Sequence, residues 1–211
     1  MDPRCFICTA ASEASSSLPW YDVPVHRVDG VGLTLLGVGA IVPGYLLVCP
    51  QAHVPSLAAI PPDAIASFLA LVATATAALE RQFGTVVLFE HGGCAPGDRA
   101  SSCVEHAHLH LWAAADRVTL RLADCTAHFA DLAGFLADAG SYRSEPYLLH
   151  SDQAGTIHVG QDVHRRQFFR RHVAAQLGRP DEWDYAGFGF EQHMLDTRDR
   201  LRAVEGHGRD R

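Results

Sequence analysis

The segment His106-Ala107-His108-Leu109-His110-Leu111 sets three imidazoles at alternate positions. In an extended chain successive side chains point to opposite faces, so the histidines would share one face at a spacing of roughly 6.5–7 Å. Ala107, Leu109 and Leu111 would then pack on the core. Two chemistries suit such a face. Three imidazoles can bind one catalytic metal ion. Alternatively, one imidazole attacks as a nucleophile while its neighbours contact an anionic group. A neutral imidazole is competent near neutral pH because its pKa lies near ~6.5. It needs its second ring nitrogen to donate to a fixed acceptor, which sets the tautomer. A protonated neighbour would offset charge on a phosphorus centre or a leaving group.

Other residues could assist. Gly92-Gly93 opens a loop of Gly, Pro, Asp and Ser that runs to Ser102 and Cys103. Backbone N–H groups in such a loop can approach a phosphate closely. The loop has no Walker pattern, which argues against kinase or ATPase chemistry. Glu90 and His91 precede it, placed to hold a ribose, to orient His108 or simply to cap a strand. Arg165, Arg166, Arg170 and Arg171 cluster on one expected helix. Either they form a solvated face, or one of them, such as Arg166 or Arg170, reaches a terminal phosphate or a polynucleotide backbone. Trp112 and Trp183 are able to stack on a base, although buried aromatics are commoner.

These groups need a scaffold. Gly32–Gly37 and Tyr45–Cys49 are expected strands around the Pro43-Gly44 turn. Pro61-Pro62-Asp63 starts a helix to Phe83, with Ile65, Phe68, Leu69, Val72, Ala75 and Leu79 at helical spacing, and Gly84 ends it. Thr85–Phe89 and Val104–Trp112 are further strands. Beyond Asp116 the pattern predicts helices over 124–139, 163–177 and 190–204, with short strands at Tyr147–Leu149 and Thr156–Val159. Cys49 and Cys125 are expected in the core, and Cys94 as an ordinary loop thiol. The shift near 116 separates a core, 1–115, from an extension, 116–211, packed on it.

Composition narrows the possibilities. Of 211 residues, 48% are hydrophobic and 19% charged, an ordinary balance for a globular protein. The net charge of −7 gives no global attraction to nucleic acid or an anionic membrane. An anionic ligand therefore requires a local cation. All 17 basic residues are arginine, which rules out lysine-based catalysis. The N-terminus lacks the pattern of a signal peptide, and no apolar run is expected to reach the ~20 residues needed to span a bilayer. The expectation is a cytoplasmic protein with reduced cysteines and no membrane partner.

The ensemble resembles the histidine triad (HIT) superfamily, in its zinc-containing form with a C-terminal extension. The resemblance rests on His106-Ala-His108-Leu-His110, on Pro43-Gly44-Tyr-Leu-Leu-Val-Cys-Pro50-Gln-Ala-His53, on Cys5-Phe-Ile-Cys8, and on Phe89-Glu-His-Gly92 with Ser101-Ser102-Cys103. It covers roughly residues 5–112. Ser102 and Cys103 stand where many members have Gln and Ser, and Ala113 where they have Pro. The resemblance implies an α+β fold: a central antiparallel sheet of about five strands, one long helix (62–83), and a mixed, mainly helical C-terminal extension. It implies that His108 is the nucleophile, forming a nucleotidyl-histidine, and that His110 contacts the phosphate. Glu90, His91, Gly92, Ser102, Cys103, Arg166 and Arg170 are the expected substrate-binding residues.

Cys5, Cys8, His53 and His106 form a two-cysteine, two-histidine set suited to a closed structural zinc site. The alternative is two free thiols in a flexible arm. A redox pair fits less well, since no helix start follows Cys8. No organic cofactor is expected. The implied activity is hydrolysis at the α-phosphate of a nucleoside phosphate conjugate, such as a dinucleoside polyphosphate, a phosphoramidate or a nucleotidyl compound. A nucleotidyltransferase using the same intermediate is the alternative. A non-catalytic nucleotide- or RNA-binding module is the alternative of another class. The resemblance also implies a homodimer, and the arginine helix favours an RNA-like ligand.

Overall fold

A computed structural model describes residues 4–12, 17–93, 104–161 and 166–207. Its centre is an antiparallel sheet of eight strands among the described residues, in the order β1-β2-β3-β5-β4-β7-β8-β6. The strands are β1 (His26–Val28), β2 (Gly32–Leu36), β3 (Tyr45–Pro50), β4 (Val87–Gly92), β5 (Leu109–Trp112), β6 (Cys125–Phe129), β7 (Tyr147–Ser151) and β8 (Ile157–Gly160). The helices are α1 (Phe6–Ala10), α2 (Ile65–Phe83), α3 (Leu132–Ala137), α4 (Phe168–Gln176) and α5 (Glu191–His207).

The sheet has three strands more than expected, because β6, β7 and β8 of the extension continue it through β4–β7 pairing. The expected helix over 124–139 divides accordingly. Cys125–Phe129 pairs with β8, and α3 begins only after Asp131, whose carboxylate accepts from the Gly134 N–H at 2.7 Å. Such a cap satisfies one of the free N–H groups at a helix start. Helix α2 follows the expected stripe: Phe68, Leu71, Val72, Ala75 and Leu79 are buried against β2 and β3, and Gly84 ends it at φ +93°. Against the expectation of no such run, Pro62–Phe83 is long and apolar enough by composition to cross a membrane. Its buried stripe is that of a helix covering a sheet.

Side-chain alternation divides the sheet into two faces. Leu46 and Val48 of β3 and Leu109 and Leu111 of β5 join the core with α2. Tyr45, Leu47, His110 and Trp112 point the other way, and α4 lies over this second face through Phe169, whose ring is 5.1 Å from Phe89 and 5.3 Å from His91. Helix α5 ties the β2–β3 connection from the side. The Thr197 hydroxyl accepts from the Gly44 N–H at 2.9 Å, and the His193 ring bonds the Ala40 carbonyl at 2.7 Å.

Candidate active site

The second face carries a cavity of about 330 Å³. His91, His108 and His110 line it, with Tyr45, Gln167 and Arg170. The expected strand over 104–112 pairs only from Leu109, opposite Val48, so the three histidines do not share one flat face. His106 precedes the paired strand and is fully buried, turned toward the N-terminal cysteines. His108 and His110 remain together in the cavity wall, their ring centres 4.8 Å apart.

His108 Nδ1 lies 2.8 Å from the His106 carbonyl oxygen, a bond in which the ring N–H donates. That fixes the tautomer and leaves Nε2 with its lone pair. Desolvation lowers the His108 pKa, partly opposed by this bond, so the ring is neutral near neutral pH. His110 Nδ1 sits 2.6 Å from the Tyr45 hydroxyl, and its ring stacks on Phe89 at 4.4 Å. Burial holds His110 well below its ordinary pKa and brings His91 to about 3, with further lowering from His108 and other nearby charges. The Nε2 atoms of His91 and His110 are buried with no hydrogen-bond partner among the described residues. A protonated neighbour, one of the sequence expectations, is therefore not the resting state. Among the described residues lining the cavity, the permanent cation is Arg170.

The arginines separate by environment. Arg166 is exposed, and its carbonyl accepts from Arg171 Nε at 3.1 Å. Arg170 is 3% exposed: Nε donates to the Trp183 carbonyl at 2.9 Å and to Gln167 Oε1 at 3.1 Å, and Nη2 to the Gly39 carbonyl at 2.7 Å. Gly39 has φ +76°, and a β-carbon there would crowd the guanidinium and Tyr185. Arg170 thus clamps the extension to the β2–β3 connection while presenting charge to the cavity. Arg170→Ala is expected to destabilise the protein by on the order of 3 kcal/mol, because it leaves buried carbonyls unpaired. Arg166→Ala is expected to change stability by less than about 0.5 kcal/mol, as surface substitutions do. Denaturant titration of both variants checks this.

Glu90 departs from the expectation of a substrate contact. It alternates with His91 and points to the opposite face of β4, where Oε1 accepts from the Leu57 N–H at 2.7 Å and Oε2 from the Tyr147 hydroxyl at 2.5 Å. Burial raises its pKa to about 7, against the opposing hydrogen bonds. An acid whose folded pKa is raised contributes stability that is lost as pH rises from the unfolded value, near 4.5, through about 7. Each pKa unit corresponds to about 1.4 kcal/mol. Glu90→Gln is expected to remove this falloff. The check is the difference between the two stability profiles from pH 4 to 8, since the buried histidines contribute equally to both.

Gly92 ends β4 against the Tyr147 ring rather than facing the cavity. Ser102, Cys103, Cys94 and Arg165 lie outside the described residues. Cys49 is fully buried as expected, whereas Cys125 is exposed on β6. Trp112 is fully buried under Tyr45, with ring centres 4.3 Å apart, which removes it as a base platform. Sequence reasoning missed Tyr45, Gln167 and Tyr185 as cavity residues. Tyr45 had a signal: it lies in the Gly44–His53 segment and alternates with Leu47.

A second cluster adjoins the first. Cys5, Cys8, His53 and His106 offer ligand atoms all within 4.8 Å of one another and could hold a metal ion. Cys8 Sγ is 3.3 Å from His53 Nδ1 and 3.6 Å from His106 Nδ1, and Cys5 Sγ is 3.5 Å from His106 Nδ1. Ligand bonds of ~2.3 Å to sulfur and ~2.0 Å to nitrogen in a tetrahedron require S···N edges of about 3.5 Å. His106 Nε2 donates to the Pro50 carbonyl at 2.8 Å, which leaves Nδ1 free to ligate. The same residue's carbonyl accepts from His108.

Residues 30–116 match the HIT domain family model. The matched segment is similar to HIT domains and covers less than half of the chain. Solved structures with a similar fold include a protein from Streptococcus mutans UA159 (20% identity, TM-score 0.44, 53% of this chain and 66% of that one). Another is a HIT family protein from Bacillus anthracis str. Ames Ancestor (21%, TM-score 0.43, 53% of this chain and 74% of that one). A hypothetical protein from Leishmania major is similar over more of its length (21%, TM-score 0.47, 67% of this chain and 95% of that one). This chain thus spans slightly less than two thirds of the Streptococcus protein. No curated protein matches the sequence.

Proposed function

We propose that the protein hydrolyses a nucleoside phosphate conjugate by attack of His108 at the α-phosphate, and that Cys5, Cys8, His53 and His106 hold a structural zinc ion. The observation that carries the first reading is the 2.8 Å bond from His108 Nδ1 to the His106 carbonyl, which leaves a nucleophilic lone pair on Nε2. Nε2 bonds to phosphorus, the conjugate's leaving group departs, and water then displaces the imidazole to release the nucleotide. With Tyr45 donating to His110 Nδ1, His110 Nε2 carries the ring proton and donates it to a phosphoryl oxygen. Leu35, Leu47 and Phe6 contribute an apolar part of the cavity wall, a surface for a nucleobase. Transfer to a phosphate acceptor instead of water uses the same intermediate.

A zinc ion with four protein ligands has no open position, so its contribution is structural. Holding His106 at Nδ1 also fixes the carbonyl that orients His108. The test of the reading is intact-mass analysis after incubation with a panel of adenylylated and guanylylated compounds. A nucleotidyl adduct on the wild-type chain and none on His108→Ala is the expected result. An adduct of equal abundance on both would overturn it.

A further inference from the structure

We propose a second metal site, for a zinc-class divalent ion, formed by Cys125, His128 and His158 on the outer edge of the extension. These residues offer three ligand atoms within 4.8 Å of one another. His128 Nδ1 is 3.0 Å from His158 Nδ1, and Cys125 Sγ is 3.7 Å from His128 Nε2 and 3.8 Å from its Nδ1. One thiolate and two imidazoles select a borderline-soft transition ion over calcium or magnesium.

Three features make this a built site. Cys125 and His128 are three positions apart, so in a regular strand they would face opposite ways. The β6–β8 register runs Cys125↔Gly160, Ala127↔Val159 and His128↔His158, so one extra residue, Thr126, is inserted. Such a bulge re-aims the side chain before it, and here it brings the thiol to the histidine face. Second, His158 Nε2 donates to Asp152 Oδ2 at 3.1 Å, which places its lone pair on Nδ1. A carboxylate behind a ligating imidazole is the usual outer-shell partner of a metal-bound histidine. Asp152 is itself held by the N–H groups of Ala154 and Thr156 at 2.9 and 3.0 Å. Third, His150 stacks on the His158 ring at 4.9 Å with an interplanar angle of 10°, fixing its plane.

Without metal, the His128 Nδ1–H donates to His158 Nδ1, and the Cys125 thiol donates to the Ala127 carbonyl at 3.3 Å. On binding, His128 moves its proton to Nε2 and the thiol releases one proton to solvent. Three protein ligands leave a position for water, which distinguishes this site from the closed N-terminal set. Because β6 is the last strand of the sheet, the ion staples an edge strand to β8.

The test uses the full chain, reduced and carrying one tightly held zinc, titrated with Co²⁺. One further equivalent is expected, with a near-ultraviolet thiolate-to-cobalt band and slower amide exchange at 125–129 and 157–160. Cys125→Ser should abolish the band and His158→Ala the extra equivalent, while the first zinc stays bound. Asp152→Asn should weaken Co²⁺ affinity by about 10- to 100-fold. No extra equivalent in the wild type, or an undiminished band in Cys125→Ser, would overturn the proposal.

Discussion

His108→Ala is expected to reduce turnover of a verified nucleotidyl substrate by on the order of 10,000-fold or more, as loss of a nucleophile does when a covalent intermediate is obligatory. His110→Ala removes a buried donor and not the attacking atom, so a smaller loss of about 100- to 10,000-fold is expected. The variants should separate in a second assay: His110→Ala still accumulates the nucleotidyl adduct, though slowly, and His108→Ala never does. Neither substitution should disturb the fold greatly, because His108 is only partly buried and His110 lies at the cavity wall. Near-normal turnover by His108→Ala, measured with rapid-quench kinetics on protein free of contaminating hydrolase, would refute the covalent route.

The second large effect concerns the cysteine–histidine cluster. One zinc per chain should survive dialysis against a weak chelator, and its removal by a strong one should lower Tm by roughly 10 °C or more. The free energy of binding a structural zinc is coupled to folding, and a loss of several kcal/mol shifts Tm by about 2–4 °C per kcal/mol in a chain of this size. Cys8→Ser should act like the chelator, since Cys8 Sγ is the atom that approaches both His53 and His106. Chemistry at phosphorus should fall only as His106 loosens, so re-addition of zinc restores stability and turnover together. Calorimetry with elemental analysis checks both. Protein expressed with zinc supplied that contains none after purification would remove the closed site from consideration.

The Glu90 and Arg170 predictions bear on a different point, namely how charge is arranged around a neutral cavity. Histidines kept deprotonated by burial suit a nucleophile and a neutral donor. Among the described cavity residues, Arg170 is then the cation available to an anionic ligand. The extension contributes Gln167, Arg170 and Tyr185 to the cavity wall.

What the sequence determined by itself was mostly local. Apolar spacing along Ile65–Phe83 places a helix with one buried stripe, and the short continuous apolar run Tyr45–Cys49 after the Pro43-Gly44 turn places a strand buried on both faces, because each element must turn its apolar surface inward. The pairing of Cys5 and Cys8 with His53 and His106 was legible through ligand chemistry, and the cluster assembles as expected. Only the tertiary structure decided matters that depend on a partner. Whether His106 is strand or not depends on where β3 ends its pairing with β5, and that pairing reaches back only to Leu109. Glu90 and His91 are neighbours in sequence and separate in function because a pleat sends them to opposite faces. Arg166 and Arg170 look alike on a helical wheel, yet packing against Gly39 and Trp183 buries one and leaves the other in solvent. Cys125 reaches His128 only through a bulge, a register shift that exists between two strands and in neither alone.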